Sequence, residues 1–508
     1  MDKKKSGIVK AIFSVTTIVI IVKIIGFVKQ IVTAYYFGTT IETDLISLSQ
    51  GLIGDFDFFI THALVTALTA VYIKNKESEE ESKDIVSGIF KIFIPISLVF
   101  ASVFFLGSFL FAKLVAPTYD GDLQSRLSYY IKIFSPFVVL QIIISISSAV
   151  LTANKRFLWQ QLVGFNQSIF IIAFVLLFKE QLGIWTLVIG FCAATAFNVV
   201  FTGIPSKKYW SFNLRTNPFK NKNVVSILKM MLPLLIGYAM IYVNQIVDKI
   251  ISSGLEEGSV TALNYSGVLL NLILTLVTSI LSVLFVYITY NISKNNHDKA
   301  SNLVANSIIL LTVAFLPISL LVCLFNKEIV TIVYMRGSFD EHGVFLTSQA
   351  LLGYGICIVP YCIKELFARY LYGYEDSKHP MINSCVGIAI NIATSIVLSR
   401  FIGILGIAIG SSAADIVCAL LNVIVAKRKT HLKVFKPFLK SFPFLGIEII
   451  ICVSAFLASK FFFEESILIK LSLIIMGFIC SVCVSMPLLI KVFKEIKKEK
   501  NQEEVVLE

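Results

Sequence analysis

Apolar runs of about twenty residues recur from one end of the chain to the other, separated by short polar stretches, and this is the pattern of membrane-crossing helices. Fourteen are predicted, at approximately 11–37, 44–73, 85–115, 127–152, 158–178, 182–204, 225–253, 259–291, 301–325, 344–372, 380–400, 404–426, 437–460 and 467–490. A transmembrane barrel is excluded, because barrel strands are short and alternate in polarity. The fold class is therefore all-α and integral to a membrane. The run from Lys23 to His62 departs from this apolar background: it carries Lys23, Lys29, Asp44, Asp55, Asp57 and His62. Ionisable groups at bilayer depth are costly unless they face a wet or protein-lined interior, so this stretch is predicted to form one wall of a transport cavity.

Spacing sharpens that expectation. At about 100° per residue, Asp44, Gly51, Asp55 and His62 fall within about 20° of one line along the second span. Asp57 lies off that line. On the first span Lys23, Gly26 and Gln30 share a face, whereas Lys29 sits about 120° from Lys23. Snorkelling to headgroups is the alternative for the two lysines, but it leaves the acids of the next span unexplained.

Composition agrees with a membrane protein: 508 residues, 56% hydrophobic and 15% charged, with a mean hydropathy of +0.84. The net charge of +12 is a topology signal and calls for no nucleic acid, because Lys and Arg concentrate in alternate loops. The positive-inside rule then puts both termini in the cytoplasm. MDKKKSGIVK has a basic start without a cleavage site after its apolar run, and reads as a retained first helix. All nine cysteines fall inside predicted spans, so neither a disulfide framework nor a metal site is expected. External loops are short and leave no room for an extracellular catalytic domain.

The basic loop 206–223 is the predicted boundary between an N-lobe (1–205, six spans) and a C-lobe (224–430, six spans), followed by two further spans (431–492) and a cytoplasmic tail (493–508). A faint duplication supports it. Gln30–Val32 and Gln245–Val247 share QIV, and GIWTLVIG at Gly183–Gly190 answers GILGIAIG at Gly403–Gly410, at nearly one offset. Parallel repeats of this kind place substrate and ion sites at their interface. In the second half Asn244 and Asp248 are one turn apart, and Glu365 and Arg369 form an i,i+4 pair suited either to packing or to a substrate. Asp248 beside Lys249 reads equally as an internal pair or a cation site.

Six segments in order, KIIGFVKQ to ETD (Lys23–Asp44), APTYD (Ala116–Asp120), LTANKRF (Leu151–Phe157), Leu232–Ser266, VYMRGSFD (Val333–Asp340) and RYLYGYEDSKHP (Arg369–Pro380), resemble the MurJ (MviN) lipid II flippases of the multidrug/oligosaccharidyl-lipid/polysaccharide exporter superfamily. The resemblance implies translocation of an undecaprenyl-pyrophosphate-linked saccharide to the outer leaflet by alternating access, for cell-wall synthesis in a bacterial cytoplasmic membrane. It implies that the last two helices shape a groove for the lipid tail, and that Lys23 and Lys29 stand where family arginines line the cavity. Lysine keeps the charge but loses the bidentate fork. Asp57, His62 and Val268 depart from the family pattern, at two basic positions and one acidic one, and make the cavity less cationic.

The expected substrate-binding residues are thus Lys23, Lys29, Asp44, Asp55, His62 and Arg369, with Asp248 and Asn391 as candidates for a coupling cation. No cofactor is expected beyond such a cation, Na+ or H+, or the membrane potential in its place. Expected partners are the polyprenyl-linked saccharide and membrane lipids, with the cell-wall synthesis machinery as a further candidate. Rival readings are a flippase for another surface polysaccharide, a drug/cation antiporter of the same superfamily, a non-transporting scaffold for lipid-linked precursors, and a membrane glycan polymerase or ligase. The last would draw on Asp120, Asp122 and Arg126 at the outer face.

Overall fold

A computed structural model of the chain describes residues 2–75, 78–210, 217–430, 438–439, 441–462 and 467–507; part of the predicted lobe boundary, 211–216, lies outside them. The described residues hold no strand. Among the described residues, fourteen helical spans are long and apolar enough to cross a membrane, as the hydropathy pattern predicts. Helix is the form such runs must take, because each satisfies its own backbone donors and acceptors where water is absent.

The chain divides into two compact units, one made of 1–261 with 336–340, the other of 262–335 with 341–508. The first contains α1 (Asp2–Phe37), α2 (Ile41–Lys74), α3 (Glu79–Leu106), α4 (Ser108–Val115), α5 (Gly121–Phe134), α6 (Phe137–Ala153), α7 (Phe157–Leu182), α8 (Trp185–Ser206) and α9 (Lys222–Ser253). The fourth span, Gly121–Ala153, is broken between α5 and α6 at Ser135–Pro136, where proline has no N–H to continue the ladder.

Helix α2 is the axis of this unit and packs along α9, α6 and α5. Leu45, Leu48 and Leu52 bury against Val115, Leu127, Ile131 and Phe134. Two turns further on, Ile60, Leu64 and Leu68 bury against Ile85, Ile89, Ile142, Ile146 and Ile227. Ala63 and Ala67 are fully buried between them, and small residues there let neighbouring backbones come close.

The second unit holds most of α10 (Ser259–Ser293), then α11 (His297–Leu324), α12 (Asn326–Tyr334), α13 (Glu341–Gly373), α14 (Lys378–Ile402), α15 (Ile404–Thr430), α16 (Phe442–Phe462) and α17 (Ile467–Leu507). Lipid tails are as apolar as leucine, so polar contacts between helices add to packing here. Ser319 donates to the Gly355 carbonyl at 2.7 Å, and Ser412 to that of Gly353 at 2.6 Å. Asn383 and Asn422 join α14 to α15 at 2.8 Å. Ser485 of α17 donates to the buried Glu448 of α16.

The turn between α13 and α14 is tied to the end of α15. Asp376 accepts from Lys429 at 2.6 Å and pairs with the His379 ring at 2.9 Å, and it also accepts from the His379 backbone N–H at 3.2 Å. Burial pushes this carboxyl up, but the hydrogen bonds from Lys429 and His379 more than offset it and hold it at about 2. A carboxyl depressed in the folded state stabilises the fold above about pH 4, and the contribution is lost as the pH falls towards 2. Lys429 is half-exposed, so solvent screening limits the effect to on the order of 1 kcal/mol. Asp376→Asn is expected to lower the melting temperature at neutral pH, with a difference from wild type that shrinks as the pH is taken towards about 2.5. Thermal unfolding of the purified protein in detergent measures both.

Candidate functional site

The two helices that carry the polar stretch meet at a corner, Gly38–Thr40, and this corner fixes where their charges lie. Thr40 caps α2, and its side chain and that of Thr43 bond reciprocally to each other's backbone N–H. The first turn of a helix leaves donors without partners and a positive dipole end. Glu257, on the segment before α10, accepts from the Ile41 N–H at 2.8 Å. Asp44 on α2 returns the favour to α10: it accepts from the N–H groups of Gly258 and Thr261 at 2.8 Å each, and from the Thr261 hydroxyl at 2.6 Å. Each helix start is thus capped by a carboxylate more than two hundred residues away in sequence. Asp44 is almost fully buried. Tyr119 lies beside this pair, and its phenol is pushed up by burial and then by the negative charges of Asp44 and Glu257.

Glycines with left-handed backbone make the corner possible, Gly38 within it and Gly258 and Gly337 packed against it. Gly258 has φ +85°, and a Cβ there would sit 2.6 Å from the Thr39 carbonyl oxygen. Gly337 has φ +61° and a Cβ would strike the Tyr35 carbonyl, the same oxygen that accepts from Ser338 N–H at 2.8 Å. Both positions combine left-handed backbone with close approach, which only glycine tolerates. Beside them Glu42 forms an ion pair with Arg126 and accepts from Tyr130 at 3.4 Å. Asp120 caps α5 by accepting from Leu123 N–H at 2.8 Å. Arg126 and Asp120, two of the residues on which a membrane enzyme would draw, therefore have architectural work.

Further along α2 the predicted stripe is resolved residue by residue. Asp55 pairs with Lys249 of α9. The stem of that lysine crosses Gly51 so closely that a Cβ at 51 would overlap it. His62 is exposed; its Nδ1 lies 3.0 Å from the Phe58 carbonyl and its ring rests on that of Phe58 at 3.7 Å. Asp57, off the stripe, is buried, and its Oδ1 has no hydrogen-bond partner among the described residues.

On α1, Lys23 is exposed and Lys29 half-buried, and neither forms an ion pair with a described residue. Gly26, between them on the helix, lies over Ser168 of α7, so the two lysines flank the line of contact with α7. Asp248 is half-buried on α9 in the first unit, and Asn391 is buried on α14 in the second. Asn391 accepts from Ser395 at 2.9 Å.

Arg369 and Glu365 lie 3.9 Å apart, and Arg369 donates to Ser282 at 3.2 Å. Sequence reasoning missed their neighbours. Lys364 pairs with Asp415 of α15 at 2.8 Å, and Asn422 donates to the Lys364 carbonyl at 3.2 Å. The signal was present, since Lys364 and Asp415 are charged residues inside predicted spans. What no spacing revealed is which helix each would meet.

The family description "Lipid II flippase MurJ" matches residues 33–479. This chain belongs to the MurJ lipid II flippase family. Curated relatives named probable lipid II flippase MurJ include one from Borreliella burgdorferi, 23% identical over 471 residues, covering 89% of this chain and 90% of the relative. Another, from Treponema pallidum, is 22% identical and covers 82% of this chain and 81% of its own length. Among solved structures, a lipid II flippase MurJ in an inward closed conformation superposes with a TM-score of 0.79 at 20% identity, over 94% of this chain and all of that one. An inward-facing multidrug MATE transporter of the MOP superfamily gives a TM-score of 0.66 at 12% identity, over 81% and 94%. At those identities the structures speak for the fold alone, and the family assignment rests on the match across the chain.

Two outcomes follow for the corner and the stripe. Asp44→Asn replaces one acceptor oxygen by a donor facing an N–H, and is expected to cost about 2 kcal/mol of stability, seen as a lowered melting temperature. Lys249→Met strands Asp55 and is expected to destabilise by a similar amount, whereas adding Asp55→Leu restores most of the loss; a double-mutant cycle of melting curves checks this.

Proposed function

We propose that this multi-pass membrane protein translocates lipid II across the cytoplasmic membrane, from the inner to the outer leaflet, for peptidoglycan synthesis. As a member of its family it is a transporter and not an enzyme. The observation that carries the reading is the family match over residues 33–479. A pyrophosphate bearing a hydrophilic saccharide cannot enter hydrocarbon unsolvated, so such a carrier needs positive charge at membrane depth.

Lys23 and Lys29 meet that need, since neither is neutralised by a described carboxylate. Their ammonium groups bind the pyrophosphate by charge-assisted hydrogen bonds, while Asp44, through the helix caps it supplies, fixes the corner beyond them. His62 and Arg369 are the remaining candidates for saccharide or peptide contacts. Asp55, held by Lys249, serves the substrate only when that pair opens. Return of the empty carrier draws on the membrane potential, about 2.3 kcal/mol per elementary charge per 100 mV, or on Na+ or H+ with Asp248 and Asn391 as candidate ligands. In this reading both termini face the cytoplasm, and the cell-wall synthesis machinery is the expected neighbour.

The positions of Asp57 and Val268, where the family pattern is basic, favour as a second reading a different polyprenyl-linked saccharide. Native mass spectrometry of co-purifying lipids distinguishes the two headgroups. The joint substitution Lys23→Glu and Lys29→Glu is expected to abolish complementation of a flippase-depleted strain while the protein still accumulates in the membrane. Full complementation by that variant overturns the assignment of the two lysines.

A further inference from the structure

The charged network of the second unit is not explained by packing. Four side chains alternate in sign: Asp415, Lys364, Glu365 and Arg369. One half is complete, because Lys364 donates to Asp415 at 2.8 Å and lies 4.6 Å from the centroid of the Tyr361 ring. The other half is open. Glu365 stands 3.9 Å from Lys364 Nζ and 3.9 Å from Arg369 Nε, beyond hydrogen-bond reach of both, and it accepts no hydrogen bond from a described residue. Arg369, with five donors to place, makes one described side-chain bond, to Ser282 at 3.2 Å.

Both side chains belong to the span Glu341–Gly373, and they remain 29% and 20% exposed. A desolvated ion pair holds a helix bundle together only when its geometry is close and its remaining hydrogen-bonding capacity is met. The Lys364–Asp415 pair satisfies that condition, and the Glu365–Arg369 pair does not. A carboxylate and a guanidinium that face each other with unused acceptors and donors can admit a group of the reverse polarity.

We propose that Glu365 and Arg369 form a binding site for a zwitterionic group, one that carries an ammonium and an anion a few bonds apart. The ammonium is held by Glu365 and the anion, carboxylate or phosphate, by the Arg369 fork. Lys364, fixed by Asp415, keeps the Glu365 carboxylate in position. Net charge selects the ligand: the four side chains sum to zero, so a zwitterion adds no charge to this low-dielectric region, whereas a simple anion or cation leaves an excess there. Two sources carry this chemistry, a short peptide with both termini free and an ethanolamine phosphate lipid headgroup. The site uses neither Lys23 nor Lys29, so its failure would leave the pyrophosphate assignment untouched and would bear only on Arg369 as a candidate for saccharide or peptide contacts.

The test uses the purified full-length chain in detergent. The dipeptide Ala-Ala is titrated by calorimetry at low ionic strength beside its N-acetyl and C-amide forms. Phosphatidylethanolamine and phosphatidylglycerol retention is compared by native mass spectrometry. Selective binding of the free dipeptide assigns the peptide source, and selective retention of phosphatidylethanolamine assigns the lipid source. Either is expected to weaken about tenfold or more in Glu365→Gln and in Arg369→Gln, with melting temperatures that show the variants folded. Arg369→Lys and Glu365→Asp keep each charge while altering its geometry, and are expected to bind with intermediate strength; they stand in where a neutral variant does not fold. Absence of selectivity for both probes overturns the proposal, as does binding that the folded variants leave unchanged.

Discussion

Two carboxylates exchanged between helix starts hold the first unit in register. Asp44 reaches from α2 to the first N–H groups of α10, and Glu257, just before α10, reaches back to the first N–H of α2. Each satisfies donors that a membrane helix cannot leave bare and sets a negative charge on a positive dipole end. Because the caps are reciprocal, the start of α2 and residues 257–261 hold one another in place. The corner that carries Lys23 and Lys29 on one side and the α2 stripe on the other is therefore set by backbone chemistry, and the functional charges are placed by it.

The same economy of charge governs the interior. Glu42 meets Arg126, Asp55 meets Lys249, Lys364 meets Asp415, and Lys470 meets Glu328. Each joins two helices distant in sequence, so each ties the tertiary arrangement to an electrostatic balance. Against that background Lys23, Lys29 and the buried Asp57 in one unit, and the loosely held Glu365 and Arg369 in the other, stand out as groups whose cost the fold itself does not offset.

Much of this was legible in the sequence, and the limits have a physical cause. Spans were legible because an apolar run of twenty residues has one solution in a bilayer. The stripe on α2 was legible because helical periodicity turns spacing into direction. Periodicity stops at the helix surface, however: it placed Asp44 and Asp55 on one line without distinguishing a residue that caps a remote helix from one that meets Lys249. Lys364 and Asp415 escaped notice for the same reason, since their pairing depends on which faces of α13 and α15 come together. The glycines at 258 and 337 show it from the backbone side, where φ and the approach of Thr39 and Tyr35 exist only in the assembled corner.

Gly51 carries one last implication. Because the stem of Lys249 lies where a side chain at 51 would stand, enlarging that position would be met first by the flexible lysine swinging aside and only then by any parting of α2 from α9. Position 51 thus works as a set-screw on an electrostatic contact: its bulk adjusts how firmly the acid one turn away is held, and a lineage that altered it would be retuning the contact while leaving the scaffold in place.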